Sequence, residues 1–225
     1  MEFLEYWLTH GVGGTCWPSS NALYELLIAL GFDARRIAGS MGDTGIESHG
    51  SVTVTCHSRD WLVDTSMLTQ FPLPLTDEVF VSGEAVFVAE VEPVDGRHMV
   101  WTDLPLNDTY IPCRLLVDPA TYDYYEARYE ASRIRSPFNE RIYARRNRPG
   151  ETVAITGNRR LSKTSAGLKT EELSRQGLCD SLRDEFGISG ALINEWRRSG
   201  ALEASFQPPT EAPRPAIGMP PSKRE

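Results

Sequence analysis

The sequence predicts an α+β fold, on three observations: a short helical segment near its start, a middle rich in β-branched residues, and a helical end. Residues Pro18 to Leu30 read as a helix, with Leu23, Leu26, Leu27 and Leu30 spaced to form one buried stripe. Pro18 and Ser19 suit a first turn and Gly31 a stop. Cys16 then falls at or just before the amino end of a core helix, after Gly13 and Gly14, where the backbone can turn tightly.

The chain next becomes β-rich. Segment 34–40 (ARRIAGS) reads as a strand and is followed by a polar loop from Gly42 to Ser48. Segment 50–56 (GSVTVTC) reads as a second strand, with HSRD at 57–60 turning the chain into a third, WLVD at 61–64. FPLPL at 71–75 ends this unit. Short strands are expected at 85–91, near 97–101 and at 111–117, while Tyr122 to Ala131 fits strand or helix. Segments 140–147 and 151–156, parted by Arg148, Pro149 and Gly150, read as a hairpin, with a tight turn following at Gly157 and Asn158.

Helical pattern returns after Lys169. Thr170, Glu171 and Glu172 look like an acidic helix start, and Leu178, Leu182 and Phe186 recur every fourth residue up to Gly187. A last helix is expected at about 189–199, and the Pro-rich polar tail from Gln207 reads as disordered. The expected division is a helical segment with the nucleophile at 1–33, a β-rich region at 34–155, a C-terminal unit at 156–205 and the tail at 206–225.

Composition narrows the function. A chain of 225 residues with 40% hydrophobic and 24% charged residues can bury a sizeable core. A net charge of −8 argues against nucleic-acid or anionic-membrane partners, which such a surface repels. No apolar run reaches the roughly 18–20 residues needed to span a bilayer. Met1 to His10 lacks the basic and apolar regions of a secretion signal, so a cytoplasmic address is expected. Cys16, Cys56, Cys113 and Cys179 form no C-x-x-C pair, which gives no support to a metal site or a disulfide framework.

A cysteine is most often a small buried apolar residue, and Cys16 needs a stronger argument. It has one in the helix start, whose positive end favours a thiolate, and a neighbouring imidazole oriented by a carboxylate would complete the activation. Four histidines are available. His57 lies in a polar turn, His98 near a strand reads as structural, and the segment around His10 offers no element to fix its ring. His49 joins a loop to a strand that could hold it rigidly, and Asp64 closes an apolar strand where a buried carboxylate would need a partner. If the turn is centred between Ser58 and Arg59, Thr53 lies opposite Asp64, and His49 shares its face at an offset of four positions, roughly 13 Å. A bulge, a strong twist or another register must then bring them together.

These residues resemble a known family. GGTCWPSSNALYELLIALGF (13–32) is similar to the nucleophile motif of the arylamine N-acetyltransferases. His49 before a strand and WLVD ending in Asp64 resemble that family's histidine and aspartate segments, and 136–163 with 171–189 resembles its closing strand pair and helix. The likeness is to a member shortened at its amino end. It implies a β-barrel-like middle, an α/β C-terminal lid and a triad architecture like that of cysteine proteases and transglutaminases. It further implies Cys16, His49 and Asp64 as catalytic triad: Cys16 takes an acetyl group as a thioester, His49 serves as base and acid, and Asp64 orients it. Acetyl-CoA would be the co-substrate, with no permanently bound cofactor, and a small arylamine or hydrazine the acceptor. Departures are Val12 for an arginine, Pro18 for a polar residue, Asn21 one place late, and Thr65, Ser66 and Met67 for a glycine-aromatic segment. Competing readings are a transglutaminase- or papain-like hydrolase and a catalytically impaired relative acting as a binding protein. The basic cluster Arg141, Arg145, Arg146 and Arg148 is expected on the solvated face and turn of a hairpin, and Trp17, Trp61 and Trp101 in core packing.

Overall fold

The structure is a computed structural model describing residues 2–83, 86–104, 109–134, 136 and 138–208. Helices α1 (Glu2–His10) and α2 (Cys16–Ala29) lead into strands β1 (Asp33–Met41), β2 (His49–Cys56), β3 (Arg59–Val63), β4 (Leu73–Leu75), β5 (Phe80–Val81), β6 (Ala89–Val94), β7 (Arg97–Leu104) and β8 (Thr109–Val117). Helix α3 (Tyr122–Ile134) precedes a second set, β9 (Tyr143–Arg148), β10 (Glu151–Thr156), β11 (Arg159–Thr164) and β12 (Gly167–Glu172). Helices α4 (Arg175–Asp184), α5 (Gly190–Arg198) and α6 (Ala201–Ala204) follow. The proposed disordered tail lies outside the described residues from 209 onward.

The first eight strands form one antiparallel sheet in the order β4-β3-β2-β1-β8-β7-β6-β5. It curls on itself until side chains from most of its strands meet in one core: Ile37, Leu62, Leu73, Val91, Val100 and Cys113, each 2% exposed or less. The result is a nearly closed, barrel-like sheet, as the family resemblance implied. The other four strands make a separate meander, β12-β11-β10-β9. Val153, Ala154 and Ile155 of β10 are fully enclosed, and Ile155 packs with Leu178 and Leu182 of α4 in a second layer. Among the described residues no helix is long and apolar enough to cross a membrane.

Several local expectations are corrected. Residues 170–172 are strand rather than helix start, because β12 pairs along its full length with β11. The helix begins at Arg175 instead, capped by the Ser174 hydroxyl, which accepts from the amide of Gly177. Of the strand expected at 85–91, residue 85 lies outside the described residues, and among those described the strand begins at Ala89. Tyr122–Ile134 is helix. Helix α1, unread in the sequence, fixes His10 after all: its Nδ1 lies 2.8 Å from Ser189 Oγ, and its carbonyl accepts from the Ser189 amide at 2.8 Å. On α2, Leu23 and Leu27 pack against Ala34, Val52 and Val54, but Leu26 and Leu30 face outward. The fully enclosed side of that helix is set by Trp17, Ser19, Ser20 and Ala22.

That rotation of α2 positions its first residue. Trp17 lies flat over Gly50, where an added Cβ would sit 2.6 Å from the indole, and packs edge-on against Tyr125 of α3 at 5.0 Å. The Tyr125 hydroxyl shares its proton between the carbonyls of Ile37 and Ser51, locking α3 to β1 and β2. Ser20 donates to the Gly50 carbonyl at 2.9 Å, so the start of α2 is bolted to the start of β2. Gly50→Ala is therefore expected to push Trp17 off the sheet and destabilise the fold by about 1–3 kcal/mol, the usual penalty of overpacking a core. Urea denaturation of the native and substituted proteins measures it directly.

Candidate active site

Cys16 is the first residue of α2. Its predecessor, Thr15, makes no side-chain cap, so the side-chain acceptor that commonly satisfies first-turn amides is missing here. These amides and the helix dipole set positive potential at the Cys16 sulfur. The thiol is partly exposed and faces the Ser48 carbonyl at 3.8 Å, immediately before His49.

His49 opens β2 and pairs with Gly39 of β1. The missing side chain at Gly39 leaves room beside the ring, and Cys113 fills part of it: a Cβ at 39 would sit 2.6 Å from the Cys113 sulfur. A register shift between Ala38 and Gly39 gives β1 a local irregularity at this place. His49 Nε2 donates to Asp64 Oδ2 at 2.6 Å, with both side chains buried. The ring's other nitrogen is left for Cys16, whose proximity is among the influences that raise the His49 pKa.

The hairpin explains how residues fifteen apart in sequence meet. Its register pairs Val52 with Val63 and Thr53 with Leu62, so the turn is centred between His57 and Ser58. That is one residue earlier than expected, and it places Ser51 rather than Thr53 opposite Asp64. The offset to His49 falls from four positions to two, and the shared face is retained. Both turn residues adopt positive φ, 50° and 60°, as a two-residue hairpin turn requires.

Asp64 is held by five hydrogen bonds. Oδ2 accepts from His49 and from Ser51 Oγ at 2.7 Å; Oδ1 accepts from the amides of Ser66 and Met67 at 2.8 and 2.7 Å and from Ser66 Oγ at 3.1 Å. Ser51, Ser66 and Met67 were missed in the sequence, although Ser51 shares the parity of His49 and an Asp two residues before a Ser favours such a turn. Burial raises the Asp64 pKa on its own, but the His49 charge and these donors overcome it and hold the carboxyl well below the usual range. For His49, burial disfavours the charged ring; the Asp64 charge and hydrogen bond outweigh that and hold its pKa well above 6.5. Burial pushes the Cys113 thiol up to about 12, so it stays neutral beside the pair.

The remaining candidates behave differently. His57 is exposed in the turn, and His98 bonds the Thr76 carbonyl at 3.2 Å, both away from Cys16. Trp17 and Trp101 are buried and Trp61 is half-buried. Arg145 and Arg146 do not form the expected solvated hairpin face; both reach inward to backbone carbonyls.

No family model matches the sequence, and no curated protein matches it. Solved structures do. The arylamine N-acetyltransferase of Mycobacterium abscessus superposes with a TM-score of 0.72 at 21% identity, over 89% of this chain and 75% of that one. The Mycobacterium marinum enzyme gives 0.73 at 20%, over 91% and 79%. The structure of the latter in complex with CoA gives 0.69 at 20%, over 86% and 75%. The fold of this chain is that of the arylamine N-acetyltransferases.

The buried pair links stability to pH with a definite sign. The His49 contribution is complete below pH 6.5 and is lost as pH rises from there through its elevated folded value. The Asp64 contribution is complete above pH 3.8 and is lost as pH falls through its depressed folded value. His49→Ala is expected to cost about 3 kcal/mol near pH 6, the low end for breaking a buried pair, because four other donors remain on Asp64. The gap in urea midpoint between native and substituted protein should narrow as pH is raised above 6.5.

Proposed function

We propose that this chain is a cysteine acyltransferase of the arylamine N-acetyltransferase type, with Cys16, His49 and Asp64 as its catalytic triad. The observation that carries this reading is the buried His49–Asp64 pair, 2.6 Å apart, with its ring against a cysteine at a helix start, in a fold shared with a CoA-bound acetyltransferase. In this reading acetyl-CoA is a co-substrate rather than a resident cofactor, and a small arylamine or hydrazine is the acceptor. Residues 1–33 carry the nucleophile, 34–155 supply histidine and aspartate, and 156–205, together with strands β9 and β10 of the same sheet, form the lid.

The reaction runs in two halves. The Cys16 proton passes to His49, and the resulting thiolate attacks the acetyl carbonyl of acetyl-CoA. The carbon–sulfur bond to CoA breaks as the bond to Cys16 forms, and the imidazolium returns its proton to the departing CoA thiolate. The acceptor amine then attacks the Cys16 thioester, loses a proton to neutral His49 and leaves as the amide, while Cys16 departs as thiolate. Asp64 stays ionised throughout, fixing the ring and stabilising its charged form.

Incubating the protein with acetyl-CoA and measuring intact mass tests the first half. One added acetyl group is expected, mapped to Cys16, and none in Cys16→Ala. His49→Gln should load at least about 100-fold more slowly, within the range that a positioned acid–base residue contributes. A protein that never loads from acetyl-CoA, or loads equally well without Cys16, refutes the proposal. Turnover of esters or peptides without CoA would point to a hydrolase instead.

A further inference from the structure

The loop after Asp64 is gripped from the second sheet. On β9, Arg145 and Asn147 project to one side and Arg146 to the other, as strand alternation requires. Arg145 Nη2 donates to the carbonyl of Ser66 at 2.8 Å and also to that of Met67, and Asn147 Nδ2 donates to the carbonyl of Leu68 at 2.9 Å. Arg146 instead bonds the Glu185 carbonyl at the end of α4. Among the described residues no carboxylate pairs with Arg145; its guanidinium lies 5.3 Å from the Phe87 ring centroid and meets backbone oxygens.

The chemistry of one peptide group makes this contact specific. The Ser66 carbonyl and the Met67 amide belong to the same peptide. Its oxygen accepts from Arg145, and its N–H donates to Asp64 Oδ1 at 2.7 Å. A cation on the oxygen polarises the peptide and strengthens the N–H as a donor, the cooperative effect of linked hydrogen bonds. It also fixes the plane of the peptide, and with it the direction in which that N–H points.

We infer that Arg145 is a positioning residue for the proposed triad, acting through the Ser66–Met67 peptide to hold the Asp64 carboxylate in line with His49. The inference rests on the acyl-transfer reading and adds to it: the C-terminal sheet then determines the geometry of the acid–base pair as well as covering the site. Arg145 touches neither Cys16 nor His49, so its effect must pass through Asp64. Among the described residues, the ionisable groups that interact with that pair include Cys16, Cys113 and Tyr125.

Alkylation of Cys16 by iodoacetamide between pH 5 and 9, resolved from the other cysteines by peptide mass, reads the thiolate–imidazolium pair without any substrate. Native protein, Arg145→Met, Arg145→Lys and Asn147→Ala are compared in full-length form, each checked for folding by circular dichroism. For Arg145→Met we expect alkylation at pH 6 to fall about 10- to 100-fold, the loss typical of displacing a catalytic group by about an ångström. Arg145→Lys, which still donates to a carbonyl, should recover part of it. Asn147→Ala loosens the same loop two residues further on and should leave the profile unchanged. A profile for Arg145→Met that superimposes on the native one overturns the inference while leaving the triad standing. So does an equal fall in Asn147→Ala, since the loop as a whole would then be responsible. Native protein that alkylates only at alkaline pH, like a free thiol, refutes the acyl-transfer reading and this inference together. If Arg145→Met does not fold, Arg145→Lys and Arg145→Gln carry the comparison under the same criteria.

Discussion

A carboxylate buried as deeply as Asp64 has lost its water and must be solvated by the protein, at a cost of several kcal/mol if it is not. Five donors do this, and they come from two directions. His49 and Ser51 reach it from the neighbouring strand, which fixes the register of the β2–β3 hairpin. Ser66 and Met67 reach it from the chain immediately after it, which fixes the path of the loop. A slip of the hairpin by one residue would turn Ser51 and His49 to the other face and leave the charge unpaired. The demand of one side chain thus sets a strand pairing, a turn and an imidazole orientation together.

The same loop reaches the nucleophile. Thr65 Oγ1 donates to Ser19 Oγ at 2.7 Å, and Ser19 in turn donates to the Thr15 carbonyl at 2.7 Å, at the cap position before Cys16. Trp17 seated on Gly50 and Ser20 bonded to the Gly50 carbonyl tie the same helix start to the strand that carries His49. Short contacts from one helical turn therefore run to Gly50 and Thr65, the residues that directly follow the other two members of the proposed triad. Absence of a side chain matters as much as its presence: Gly50 admits the indole, and Gly39 admits the Cys113 sulfur beside a buried imidazole.

Much of this was legible in the sequence, and the parts that were not have physical reasons. Cys16 at a helix start, His49 at a strand start and Asp64 closing an apolar strand each follow from local pattern, and strand parity put the last two on one face. The turn was placed one residue late because His57 and Ser58 form it in positive φ without the glycine or asparagine that announces such turns. Strand β12 was read as a helix start because it is exposed along its whole length and shows no alternation; only pairing with β11 makes it a strand. The leucine stripe of α2 misled because tertiary packing around Trp17 rotated the helix toward its serines and alanine. The roles of Arg145 and Asn147 depend on contacts almost eighty residues away in the chain, which no local pattern contains.

The departures from the resembled family take on a different weight beside this geometry. Thr65, Ser66 and Met67 replace a glycine-aromatic segment, yet the two shortest bonds from this loop to Asp64 come from the Ser66 and Met67 amides, which any residue but proline would supply. What the loop must preserve is a backbone path, and a path can be held from outside. Arg145 holds it by the carbonyls of Ser66 and Met67, so the side chains of the loop are free to change as long as that grip persists.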